Sequence, residues 1–142
     1  MNEKSLGAAT GNVGDVIRLQ SRSAASCQLT GYPGLVLISP RGDELRTVAR
    51  AAFDGSYLFP AVAARRVALA PGDYASFEIG YTDNTSGVGN SEPYSVACPS
   101  AAWLRVRLPG THQYGTVTAP LAPCEGVIDV APLVAGLGWA GS

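Results

Sequence analysis

Residues 26–38 read SCQLTGYPGLVLI: a short strand carrying Cys27 and Leu29, a Gly31-Tyr32-Pro33-Gly34 turn, and a second strand apolar on both faces. Proline fixes φ in such a turn and glycine is free to adopt a positive φ, so the chain reverses there. A run that is apolar on both faces belongs in the middle of a sheet. Cysteine on the first strand points to an oxidising compartment.

The rest of the chain repeats the pattern. Short apolar runs alternate with turn signals about every ten residues, the spacing of a sandwich. Residues 15–22 alternate, with Ile17 and Leu19 opposite Arg18 and Gln20. Pro40-Arg41-Gly42-Asp43 turns the chain into residues 44–48, and Ala70-Pro71-Gly72-Asp73 turns it into residues 74–81. Phe77, Ile79 and Tyr81 then share one face, opposite Ser76, Glu78 and Gly80. Further strands are expected at 66–69, 94–98, 103–108, 116–118 and 126–130. Trp103 is expected in the inter-sheet core. Residues 49–63 fit a strand, a loop or a short helix equally. The fold class is therefore all-β, an immunoglobulin-like antiparallel β-sandwich of about 7–9 short strands. Residues 1–14 read as a flexible lead-in, 15–134 as a single sandwich domain, and 135–142 as a C-terminal tail carrying Trp139.

Composition agrees. The 142 residues are 46% apolar and only 15% charged, with 17 glycines and 10 prolines, too many for a helical bundle. The net charge of −1 supplies no field for nucleic acid or an acidic membrane. No apolar run is long enough to span a bilayer. The start, Met-Asn-Glu-Lys-Ser, has no apolar signal core, so an exported protein would carry its export signal outside this chain.

Cys27, Cys98 and Cys124 form no Cys-x-x-Cys pair, and with one histidine the inventory for a metal site is nearly empty. Cys98 precedes Pro99 at a strand end and Cys124 follows Pro123 in a turn-rich stretch, so a Cys98–Cys124 bridge is the natural proposal. Three buried thiols in a reducing compartment are the alternative. Cys27 is then unpaired, or has a partner outside the chain.

Four stretches, SCQLTGYPGLVLISPRGDEL, VALAPGDYASFEIGYTD, ACPSAAWLRVRLPG and APCEGVIDVAPLV, form an ordered set of landmarks. The set resembles the actinobacterial domain-of-unknown-function 4232 family, which looks like secreted proteins and lipoproteins with an immunoglobulin-like sandwich. The likeness covers most of residues 7–134, beginning at Gly7-Ala8-Ala9. It implies two bridges. Cys98 and Cys124 match the C-terminal pair, whereas Cys27 matches a position paired with a cysteine upstream of Gly7, and this sequence has none there. The expectation is that the natural chain extends upstream with a signal, a strand and that cysteine. Natural loss of the bridge is the alternative. The resemblance implies no activity.

Candidate sites are sparse. His112, in the loop Gly110-Thr111-His112-Gln113, is the only histidine, and no serine stands in a Gly-x-Ser-x-Gly elbow. The polar loop TDNTSGVGNSEP collects oxygen ligands at Asp83, Asn84, Asn90 and Glu92, without the acidic spacing of a calcium loop. It reads as a solvated loop and, with His112, as a weak candidate binding surface. Asn84-Thr85-Ser86 is a formal glycosylation sequon, and Arg41-Gly42-Asp43 is good turn chemistry. Arg65, Arg66, Arg105 and Arg107 would make a basic stripe if their strands were neighbours. Tyr32, Tyr57, Phe59, Tyr81 and Tyr94 would make a carbohydrate platform if exposed.

The expectation is a non-enzymatic, extracytoplasmic cell-envelope domain, secreted or lipid-anchored. It is monomeric, has no cofactor or metal, and binds an unidentified envelope protein or glycan. The alternatives are a ligand-free spacer domain of a lipoprotein and, more distantly, a secreted hydrolase.

Overall fold

The structure, a computed structural model, describes residues 2–9, 12–22, 24–52, 61, 63–82 and 98–136. The described residues form twelve strands: β1 (Asn2–Ala9), β2 (Asn12–Gln20), β3 (Cys27–Leu29), β4 (Gly34–Ile38), β5 (Glu44–Leu45), β6 (Val48–Ala51), β7 (Val67–Leu69), β8 (Tyr74–Thr82), β9 (Ala101–Arg107), β10 (Tyr114–Leu121), β11 (Val127–Val130) and β12 (Val134–Ala135). One 3₁₀ turn, η1 (Cys124–Gly126), precedes β11. The count exceeds seven to nine because it includes β1 and the two-residue strands β5 and β12.

One sheet runs β1-β2-β8-β11-β6, with β12 also on β8; the second runs β10-β9-β4-β5; β3 and β7 make a separate ribbon. All three contribute to one core. Ile17, Phe77 and Ile128 face Leu37, Leu104 and Val117, while Leu29, Val67 and Leu69 of the ribbon complete the cluster. The fold is thus a β-sandwich. Every strand pair is antiparallel except β11 with β6.

That exception marks the corner where the chain changes sheets. β5 pairs with β4 in one sheet, and three residues later β6 pairs with β11 in the other. Thr47 holds the crossing. Its Oγ1 accepts the Leu37 N–H at 2.8 Å and donates to the Leu45 carbonyl at 3.0 Å. Gly126 passes directly beneath: a Cβ there would overlap the Arg46 carbonyl oxygen, and its φ is +72°. Thr47→Val keeps the shape but leaves the Leu37 N–H without an acceptor, so it is expected to cost about 1–3 kcal/mol in urea unfolding. Thr47→Ser should lose about 1 kcal/mol or less, because the hydroxyl survives.

Four expectations are corrected. Residues 1–14 are no lead-in, since β1 pairs with β2 from Asn2↔Arg18 to Ala9↔Asn12, and β2 pairs with β8 along its whole length. Small and polar residues give no apolar period, yet a ladder needs only main-chain donors and acceptors. The tail is likewise part of the domain as far as Gly136: Ala135 pairs with Ala75, and the Gly136 N–H donates to the Tyr74 carbonyl at 2.8 Å. The strand expected at 116–118 extends from Tyr114 to Leu121, because β10 is an edge strand and can carry Pro120.

The fourth concerns Trp103. It is half-buried and lies on the outer face, in register with Ile38 and Thr118. Leu104 and Val106 point inward at 0% exposure, so strand alternation sends residues 103, 105 and 107 outward together.

Within the ambiguous stretch 49–63, residues 49–51 belong to β6. Residues 53–60, 62, 94–97 and 139 lie outside the described residues.

Candidate functional site

Cys98 and Cys124 form a disulfide. Cys98 stands just before β9 and Cys124 at the exit of β10, in η1. The bridge therefore clamps the entry of the β9–β10 hairpin to the point where the chain crosses to β11. Cys27 is a free, half-buried thiol.

The sequence-predicted loop residues Asp83, Asn84, Asn90 and Glu92 lie outside the described residues, as does the sequon. His112 is exposed at the tip of the β9–β10 hairpin. That hairpin is closed by a bond from the Leu108 N–H to the Gln113 carbonyl at 3.0 Å. The Thr111 hydroxyl donates to the Leu108 carbonyl at 3.0 Å and accepts the Gln113 N–H at 3.1 Å. Among the described residues no group of three His, Cys, Asp or Glu side chains could hold a metal ion. Arg41-Gly42-Asp43 is a turn in which the Ser39 hydroxyl accepts the N–H of Arg41 at 3.2 Å and of Asp43 at 3.1 Å.

The basic stripe is divided. Arg105 and Arg107 share the outer face of β9, whereas Arg65 and Arg66 precede β7, which pairs with β3. The expected aromatic platform does not assemble from described residues either. Tyr32 and Tyr81 pack against the core, and Tyr57, Phe59 and Tyr94 lie outside the described residues.

What the structure does bring together is a groove of about 540 Å³ at one end of the sandwich. One wall is the end of β2 and the chain after it, residues 19–22. The floor is Leu69 of β7 and Cys27 of β3, and the other wall is Leu108 with residues 113–116. Leu19 and Leu69 line it with apolar groups, while Gln20, Ser21, Arg22 and Gln113 add polar ones. A concave apolar site with a few convergent polar groups is the usual form of a binding pocket. At its lip stands Tyr114, 60% exposed, the more exposed of the two large hydrophobic side chains the described residues present to solvent. Sequence reading included Tyr114 in the candidate loop around His112, residues 110–114, but did not single it out. The signal was present in the alternation of Tyr114, Thr116 and Thr118 against Val117, which sets the tyrosine outward.

The family model described as Domain of unknown function (DUF4232) matches residues 3–135, a span that runs from β1 to β12. No curated protein and no solved structure gives a significant match to the chain.

Proposed function

We propose, from the premise that this chain belongs to the family Domain of unknown function (DUF4232), that it is a non-enzymatic interaction module of the cell envelope. It works as a monomer, outside the cytoplasm of an actinobacterium, either secreted or lipid-anchored. The observation that carries this reading is the groove with Tyr114 at its lip. A tyrosine left 60% exposed beside an apolar floor gives a partner a rigid amphipathic contact. The disulfide supports the compartment, because such bonds persist where the surroundings are oxidising. No helix among the described residues is long and apolar enough to cross a membrane.

The test is photo-crosslinking from two exposed positions. Gln113 sits at the groove lip. Arg41 sits at the other end of the same sheet, since β4 runs from Gly34 beside Arg107 to Ile38 beside Trp103. With cell-envelope material, cross-links are expected from Gln113 and not from Arg41, and Tyr114→Ala should abolish them. Because the side chain is exposed, that variant should keep its stability to within about 0.5 kcal/mol. Absence of cross-links from both positions would favour a ligand-free spacer. Hydrolytic activity lost in His112→Ala would contradict the non-enzymatic reading.

A further inference from the structure

We infer that the outer face of β4, β9 and β10 binds an acidic glycan chain, running from Trp103 to Tyr114 and anchored through Arg107. This inference rests on the interaction-module reading and names the ligand class.

Three rungs define the face. Ile38, Trp103 and Thr118 lie side by side across the sheet, as do Val36, Arg105 and Thr116, and then Gly34, Arg107 and Tyr114. The rungs of Trp103 and Tyr114 are therefore about 14 Å apart along the strands, with Arg105 between them and Arg107 beside Tyr114. The two cations differ. Arg105 Nη1 lies 2.9 Å from Glu44 Oε2, so its charge is compensated. No carboxylate among the described residues pairs with Arg107. Its guanidinium lies beside Gly34, where an added Cβ would meet Nε at 3.1 Å and Nη2 at 3.2 Å. The absence of a side chain at Gly34 leaves room for the Arg107 guanidinium, which is exposed to solvent.

These groups select among ligands. Ile38 is only 6% exposed and Val36 is half-buried, so the face offers a ligand little aliphatic area. Tyr114, Thr116, Thr118 and Arg107 are the exposed groups. Aromatic rings stack on the apolar faces of sugars, and threonine hydroxyls exchange hydrogen bonds with sugar hydroxyls. The guanidinium of Arg107 matches a carboxylate or phosphate with paired hydrogen bonds. The match is to a chain of sugars bearing negative groups, one end of which reaches the groove lip at Tyr114.

The experiment is an amide chemical-shift titration of the whole chain with three probes: oligogalacturonate, a phosphorylated mannan oligomer, and methyl-esterified oligogalacturonate as the neutral control. One or both acidic oligomers should shift amides of β9 and β10 and the Trp103 indole, assigned through Trp103→Phe. Response to one alone tells carboxylate from phosphate recognition. The neutral oligomer should bind at least about tenfold more weakly, and Arg107→Gln should cost the acidic oligomers a similar factor. The spectrum of Arg107→Gln itself reports that the variant is folded. No response at this face to either acidic oligomer, equal binding of the neutral one, or unchanged affinity in Arg107→Gln would overturn the inference. Cross-linking from Gln113 would then still stand or fall independently, since it reports on the groove and uses no glycan probe.

Discussion

Gly126→Ala is expected to destabilise the protein by more than about 3 kcal/mol, or to prevent folding altogether. Two costs add at this position. The backbone sits at φ +72°, where a residue other than glycine is strained by ~1–3 kcal/mol. The new methyl group would also overlap the Arg46 carbonyl oxygen, a main-chain atom in the corner where the chain leaves one sheet for the other. That corner cannot yield easily, because Thr47 is bonded to Leu37 and Leu45 and β6 is in register with β11 from Val48↔Val127 onward. The neighbouring residue supplies the control. Glu125 is left-handed as well, at φ +57°, but exposed. Glu125→Gly is therefore expected to change stability by no more than about 0.5 kcal/mol, relief of strain offsetting the extra freedom of the unfolded chain. Urea unfolding of the two variants checks the pair. Equal effects would show that the corner does not have this geometry.

The second large effect is loss of the bridge. Cys98 and Cys124 are 26 positions apart, so the cross-link removes loop-closure freedom from the unfolded chain worth roughly 3–4 kcal/mol. Cys98→Ala/Cys124→Ala should lose that amount. Non-reduced, unfolded protein should titrate one thiol per chain, that of Cys27. Three thiols in protein purified without reductant would contradict both the bridge and the extracytoplasmic reading. The single-thiol result also makes Cys27 a chemical probe of the groove floor. Its modification in folded protein should slow when a partner occupies the groove, since Cys27 lines that site.

The sandwich was legible because strands announce themselves through alternation and turns through Gly and Pro. Gly42, at φ +88°, and Gly72, at φ +86°, stand where the turn chemistry puts them. Alternation was less secure where two faces are both covered. Ser76, expected on a polar face, is 1% exposed, and Val16 on the same face is 0% exposed. It was misapplied at Trp103, whose size suggested the core although its parity with Arg105 and Arg107 already placed it outside. β1 was invisible because its sequence has no apolar stripe and its stability comes from the partner strand. The groove was invisible for a different reason. Residues 19–22, Cys27, Leu69 and 113–116 are dispersed along the chain, and only the packing of the β3–β7 ribbon beside the β9–β10 hairpin brings them together. The Cys-x-Gly landmark at 124–126, by contrast, was visible as a pattern but not as a cause. Its glycine is required by the close approach of Arg46.

Hydrogen exchange measured with and without solubilised cell-envelope material tests the central claim most directly. A groove-centred interaction module should show slowed exchange in residues 19–22 and 108–116, with the hairpin tip at residues 39–43 unchanged. Exchange unaltered throughout the chain, or slowed chiefly at residues 39–43, would contradict it.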